Sequence, residues 1–283
     1  LIILSGLLLI SGAALSGNPS NIQHFSEPAL SGVLIVLIMV PGMLVGFDVI
    51  PQSAEEINLA PKKIGVLLIV SVICAVTWYV AISGAVGLAI PYREVGDSNM
   101  ATADAASNLW NGKWAGTLLV IGGIGGILTS WNAFIVGASR VIFALSESGH
   151  LPPVFSRIHT KYQTPYVAIL AIGLLSCIAP LFGRTILVWL INTGSFAVTV
   201  AFLFVAISFL VLRRKEPDME RPFKVSHPNL VGYGAIILSL GLLSAFFPWS
   251  PSALAWPEEW STLIIWGLLG FLILLFRRDH TGH

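Results

Sequence analysis

Read from Leu1, the chain alternates long apolar runs with short polar joints. The runs are Leu1–Leu15, Leu30 to about Ile57, Ile64–Ile90, Trp114–Leu145, Tyr166–Phe182, Thr185–Leu212, Val231–Trp249 and Trp260–Phe276, and the joints are rich in Pro, Gly, Asn and charge. Most runs reach the roughly 20 residues that a helix needs to cross a bilayer. None shows the roughly ten-residue alternating segments of a transmembrane β-barrel. The pattern predicts an all-α, multi-pass transmembrane helical bundle of eight segments. The first segment is shorter than a crossing and lacks the basic opening of a signal peptide. It therefore reads as the tail of a helix that begins upstream.

Composition agrees with this pattern. Apolar residues are 55% of the chain and charged residues 10%, whereas a soluble domain carries about 25% charge. So few charges cannot cover a surface facing water, so the expected solvent is lipid. A net charge of +1 gives no reason to expect nucleic acid as a partner. Cys74 and Cys177 lie inside apolar runs, where a thiol acts as a small hydrophobe, and their spacing fits neither a metal template nor a disulfide framework.

Basic residues set the orientation, because loops rich in Lys and Arg stay cytoplasmic. Alternating sides puts 12 of the 15 on one side, from Lys62 and Lys63 to Arg277 and Arg278, and leaves Arg93, Lys113 and Arg184 on the other. A miscounted helix would scatter that split. The chain start and the C-terminus are both expected on the cytoplasmic side of the cell membrane. Two loops carry further expectations. Ala101–Trp110, in the outer loop Pro91–Lys113, reads equally as a short helix on the outer face or as solvated loop. Within Glu147–Pro165, Val154, Phe155, Ile158 and Tyr162 recur at helical spacing among basic residues, which predicts an interfacial amphipathic helix.

An intramembrane enzyme needs acids, His ligands or an activated nucleophile at membrane depth. Every His falls in a loop or the tail, and so do the acids, Glu258 and Glu259 included, except Asp48, Glu55 and Glu56. No enzyme, metal site or cofactor is expected, and attention moves to the Leu30–Ile57 run. There Val40-Pro41-Gly42-Met43-Leu44-Val45-Gly46 sets a proline and two glycines in an apolar span. Proline lacks the N–H that continues the ladder and glycine weakens it. Both a plain kink and a functional break fit these residues. In the second case the upper half-helix ends near Val40, its negative pole suited to an ammonium group, and the lower half begins near Gly46.

Three blocks carry a family resemblance. Gly46-Phe47-Asp48, Ala54-Glu55-Glu56 and Lys62-Lys63-Ile64 resemble the sixth helix and following loop of the amino acid, polyamine and organocation (APC) superfamily. Gly137-Ala138-Ser139-Arg140, then Gly149, Leu151-Pro152, Phe155 and Thr164-Pro165, resemble the end of its eighth helix. Arg213-Arg214, Pro217-Asp218 and Arg221-Pro222-Phe223-Lys224-Val225 resemble its loop between helices ten and eleven. The chain departs from the family pattern at Leu59-Ala60, Gly65 and Glu147-Ser148, which bears on subfamily rather than fold.

The resemblance implies a leucine-transporter-type fold of two inverted five-helix repeats. Residues 1–16 would be the tail of helix five, 30–212 the second repeat with helices six to ten, 213–229 a cytoplasmic loop, 230–276 helices eleven and twelve, and 277–283 a cytoplasmic tail. It implies a secondary active transporter, a symporter or antiporter, that moves amino acids or related amines by alternating access, coupled to protons or working by exchange. A non-transporting sensor or a channel on the same fold is the alternative. The substrate would meet Met39, Val40, Pro41, Gly42, Met43, Leu44 and Gly46, with carbonyls near Met39 and Val40 receiving the amino group and Met43 and Leu44 bordering the side chain. Phe47 would serve as gate or packing residue, and Asp48 would orient the lower half-helix or join proton coupling, although Leu30–Phe47 is already nearly a full crossing and Asp48 reads equally as the mark of its cytoplasmic end. Asn192, Thr193 and Ser195, and likewise Thr129, Ser130 and Asn132, are polar groups at membrane depth that read either as site residues or as hydrogen bonds between helices.

Overall fold

In a computed structural model, which describes residues 1–22, 30–52 and 58–275, each apolar run holds a helix. The helices are α1 (Ile2–Ser16), α2 (Leu30–Leu44), α3 (Val49–Gln52), α4 (Pro61–Ala89), α5 (Tyr92–Val95), α6 (Ala101–Leu109), α7 (Lys113–Glu147), α8 (Tyr166–Ile178), α9 (Arg184–Lys215), α10 (Pro228–Ala245) and α11 (Glu258–Leu275). Among the described residues, five stretches are long and apolar enough to cross a membrane: Gly32–Pro51, Pro61–Ala89, Lys113–Glu147, Thr185–Lys215 and Pro228–Ala245. The protein is an all-α membrane protein, and no strand occurs among the described residues. Large apolar side chains such as Ile127, Leu170, Leu174 and Val205 stand exposed along the helices, as lipid contact demands.

Packing divides the chain into two units, residues 1–28 with 67–134, and residues 29–66 with 135–283. In the first, the core is made mainly of small side chains: Ala13, Ala85, Ala105, Ala106 and Ala115 close around Leu9, Val86, Ile90 and Leu109. In lipid, helices associate through close backbone approach rather than hydrophobic burial. Thus α7 meets α1 where Gly122 faces Ser5 and Gly126 faces Ile2. The segment Ala101–Leu109 is helical, and this α6 is docked on α1. The Trp110 indole N–H donates to Leu8 O at 3.0 Å and the Ser16 hydroxyl to Leu109 O at 2.7 Å.

In the second unit α9 is the central helix, with α2, α10 and α11 packed against it. Leu210 of α9 fills the space over Gly232 of α10. At one end of this group Ile38, Ala245, Phe246 and Leu254 are buried together, with Met39, Phe196, Trp260 and Leu263 around them. The α10–α11 connection folds back on itself here, with the Leu254 N–H donating to Phe246 O at 3.0 Å and the Ser252 hydroxyl to Ala245 O at 2.9 Å.

Two expectations are corrected. The segment from Val154 to Tyr162 is not an amphipathic helix: α7 ends at Glu147, Gly149 follows at φ +72°, and one 3-10 turn, Pro153–Ser156, is all that forms. After that turn the backbone becomes extended at Arg157 (φ −72°, ψ 120°), and the His159 N–H donates forward to Thr164 O at 2.9 Å instead of to a carbonyl one turn earlier, so the helical spacing is not realised. Glu259 is not in a loop either; it lies in the first turn of α11 and is 2% exposed.

The glycine register of α7 is testable. A Cβ at Gly122 would fall on the Ser5 side chain, with the Ser5 Cβ 2.7 Å away, whereas one at Gly123 meets nothing within 4 Å. Gly122→Ala is expected to lower stability by about 1–3 kcal/mol through overpacking. Gly123→Ala should be neutral or stabilising by up to about 1 kcal/mol, and thermal melting of the two variants in detergent checks the difference.

Candidate functional site: an interrupted helix

The apolar span Gly32–Pro51 is not one helix. α2 stops at Leu44, residues 45–48 form a turn, and α3 starts at Val49. The expected end near Val40 is therefore corrected: the helix passes through Pro41 and continues for almost another turn. A single proline removes one ladder bond, the one to the Leu37 carbonyl, but it does not end the helix. The lower helix begins at Val49 rather than near Gly46, and Glu55 and Glu56 lie outside the described residues.

Gly46 and Asp48 end the helix. Gly46 sits at φ +132°, a backbone region that residues with a Cβ rarely adopt. Its N–H, which in a continuing helix would reach the Gly42 carbonyl, donates instead to Asp48 Oδ1 at 2.8 Å. Beyond it the chain pairs at shorter range, with Val49 N–H to Gly46 O at 3.3 Å and Ile50 N–H to Phe47 O at 3.2 Å. The carbonyls of the last α2 turn, Pro41–Leu44, thus lie at a helix C-terminus, where the partial charge is negative.

The remaining site residues divide by face. Pro41 is buried, Met39 packs against the aromatic cluster at Phe196, and Met43 is half exposed. Phe47 stacks on Phe202 of α9, ring centroids 5.8 Å apart. Gly42 lies directly against Ser195 of α9, so close that any Cβ would collide with its hydroxyl. Its role is close approach, not interruption.

That contact adds a residue to the site. Ser195 is 1% exposed, and its Oγ has no hydrogen-bond partner among the described residues. A buried hydroxyl left unpaired costs about 1–3 kcal/mol. Its neighbours are satisfied inside α9: the Thr193 hydroxyl donates to Trp189 O at 2.8 Å and that of Thr199 to Ser195 O at 2.7 Å. Asn192 makes a bond between helices, to Glu259 at 2.7 Å, and Thr129 spends its hydroxyl on Gly125 O at 2.9 Å. Of the polar groups at depth in the sequence, Ser195 is the one brought to the interrupted segment with capacity to spare.

A sequence profile described as amino acid permease matches residues 1–274. The chain is 28% identical over 284 residues to the branched-chain amino acid permease BcaP of Bacillus subtilis, covering 99% of the chain and 58% of that protein. It is also 28% identical to the methylthioribose transporter of the same organism, over 93% of the chain and 54% of the relative. Against the vacuolar cationic amino acid transporter 8 of Arabidopsis thaliana it is again 28% identical, over 90% of the chain and 42% of the relative. The chain spans about half the length of these relatives.

Two tests follow from the geometry. Gly46→Ala should cost about 1–3 kcal/mol of stability through backbone strain, and Asp48→Ala a similar amount by stranding the Gly46 N–H. Asp48→Asn keeps an acceptor oxygen and should fall close to wild type in the same melting assay. Gly42→Ala should destabilise by about 1–3 kcal/mol. Ser195→Ala should rescue it, since the Ser195 Cβ at 3.5 Å and Ile191 O at 3.7 Å that remain near the added methyl are at ordinary contact distance, and a double-mutant cycle measures that coupling.

Proposed function

Because this chain belongs to the amino acid permease family of the APC superfamily, we propose that the protein carrying it is a secondary active transporter that moves an amino acid or related amine across the cell membrane by alternating access. The observation that carries this reading is the turn at residues 45–48 inside an apolar span. Non-helical backbone at membrane depth persists where it is buried in protein or lines a wet cavity, and broken helices are how secondary transporters present backbone groups to a solute.

Met39 and Val40 stay within the helical ladder, so their part is to line the site. Recognition of the ammonium group passes to the carbonyls of Pro41–Leu44, at the negative end of α2. Ser195, with an unassigned hydroxyl beside Gly42, is a second polar contact. Met43 and Leu44 border the substrate side chain, Phe47 gates it, and Asp48 orients the lower segment or takes part in proton coupling. The stretch 39–47 contains no acid, which favours an apolar or small amino acid over a cationic one.

In the family arrangement the chain comprises the end of helix five (1–16), the second repeat (30–212), and helices eleven and twelve (230–276), with both ends cytoplasmic by the 12-to-3 distribution of basic residues. Transport is driven by protons or by exchange.

The complete gene product reconstituted in liposomes provides the test. Labelled leucine, isoleucine, valine and alanine should accumulate faster than arginine or lysine, and an inward proton gradient should speed net uptake if protons drive it. Neither uptake nor counterflow across a full amino acid panel would overturn the proposal. Solute-dependent stabilisation without flux would make the protein a sensor instead.

A further inference from the structure

Among the described residues, Glu259 is the one charged side chain that is buried. It stands in the first turn of α11, and both of its carboxylate oxygens are engaged. Oε2 accepts the Ala255 N–H at 2.7 Å, while the Glu259 N–H donates back to Ala255 O at 3.1 Å. This reciprocal pair satisfies donors at a helix start in the manner of a capping box. It needs only one oxygen. Oε1 accepts from Asn192 Nδ2 at 2.7 Å, on α9, 67 positions away in the chain. A buried carboxylate is tolerated only when it is well hydrogen-bonded, and a neutral residue would cap α11 without that cost. The feature that capping leaves unexplained is the bond across to α9.

Asn192 lies one turn before Ser195, the residue beneath Gly42, and before Phe196. The Phe196 ring meets Phe246 at 5.5 Å and Trp260, the neighbour of Glu259, at 6.3 Å, and the same cluster takes in Met39. Between Asn192 and Ser195 stands Gly194, with open space where a Cβ would be; glycine is the weakest helix former after proline. Without an external tie, this is where α9 would most readily twist.

We propose that Glu259 is a positioning residue for solute binding. Through Asn192 it fixes the rotation of α9, so that Ser195 stays against Gly42 and the last turn of α2 keeps its binding geometry. The inference rests on reading that turn as the solute-binding segment.

The complete gene product in proteoliposomes tests it, with the labelled amino acid that wild type carries best from the panel above. Asn192→Ala removes the bond between the helices and leaves the Ala255 cap in place. It is expected to raise KM by at least about tenfold with turnover changed by less than about threefold, a split that a purely structural role would not produce. Asn192→Asp sets two carboxylates face to face and should weaken binding further. Adding Glu259→Gln should restore KM to within about threefold of wild type, because the amide oxygen takes the Ala255 N–H and its nitrogen donates to the new carboxylate.

A wild-type KM in Asn192→Ala, or a double variant no better than Asn192→Asp alone, would overturn the proposal. So would failure of Asn192→Ala to fold, which would make the bond part of the scaffold. If wild type carries no member of the panel, the transporter reading falls and this one with it. If wild type transports and Asn192→Ala is unaffected, only this one falls.

Discussion

A peptide N–H that leaves the helical ladder inside an apolar layer must find another acceptor, and at Gly46 that acceptor is the carboxylate two residues on. The bond takes the donor away from Gly42 and so ends α2. The acceptor is supplied by the chain itself, two residues on. The positive φ of Gly46 makes the geometry reachable, and Asp48 makes it stable. Everything proposed for the solute follows from the carbonyls that this exchange leaves at the end of α2.

The interrupted segment does not stand alone. Its upper part rests on α9, which also receives α10 and α11. Contact is closest where a residue without a side chain, Gly42, meets a small one, Ser195. In lipid this is the expected economy of helix association, where fit replaces hydrophobic driving force. The polar residues of α9 show the same logic, since Thr193 and Thr199 return their hydroxyls to their own helix. Ser195 and Asn192 look outward, one toward the interrupted helix and the other toward α11.

Much of this fold was legible from the sequence. Helix existence follows from length and apolar density, and boundaries moved by only a few residues, as when Trp114–Leu145 became Lys113–Glu147. The composition of Val40–Gly46 located the interruption but not its chemistry. It pointed to Pro41, while the terminator is a dihedral at Gly46 and a hydrogen bond to Asp48, which no count of residues reports. The helix expected over Val154–Tyr162 failed for a related reason, because the spacing does not report that the backbone turns extended at Arg157. Glu259 was not legible at all. Beside Glu258 and Pro257 it reads as loop, and its burial is imposed by a helix 67 positions earlier.

The docking of α6 on α1 gives the connection between α4 and α7 a mechanical character. A tether of 20-odd residues would swing freely and transmit little, but here the C-terminal end of its helix is fastened to α1 by two bonds, the Trp110 indole N–H to Leu8 O and the Ser16 hydroxyl to Leu109 O. A binder or fluorescent label seated on α6 would therefore report the tilt of α1 rather than the wandering of a loop. It offers a handle on an apolar helix from a connecting segment.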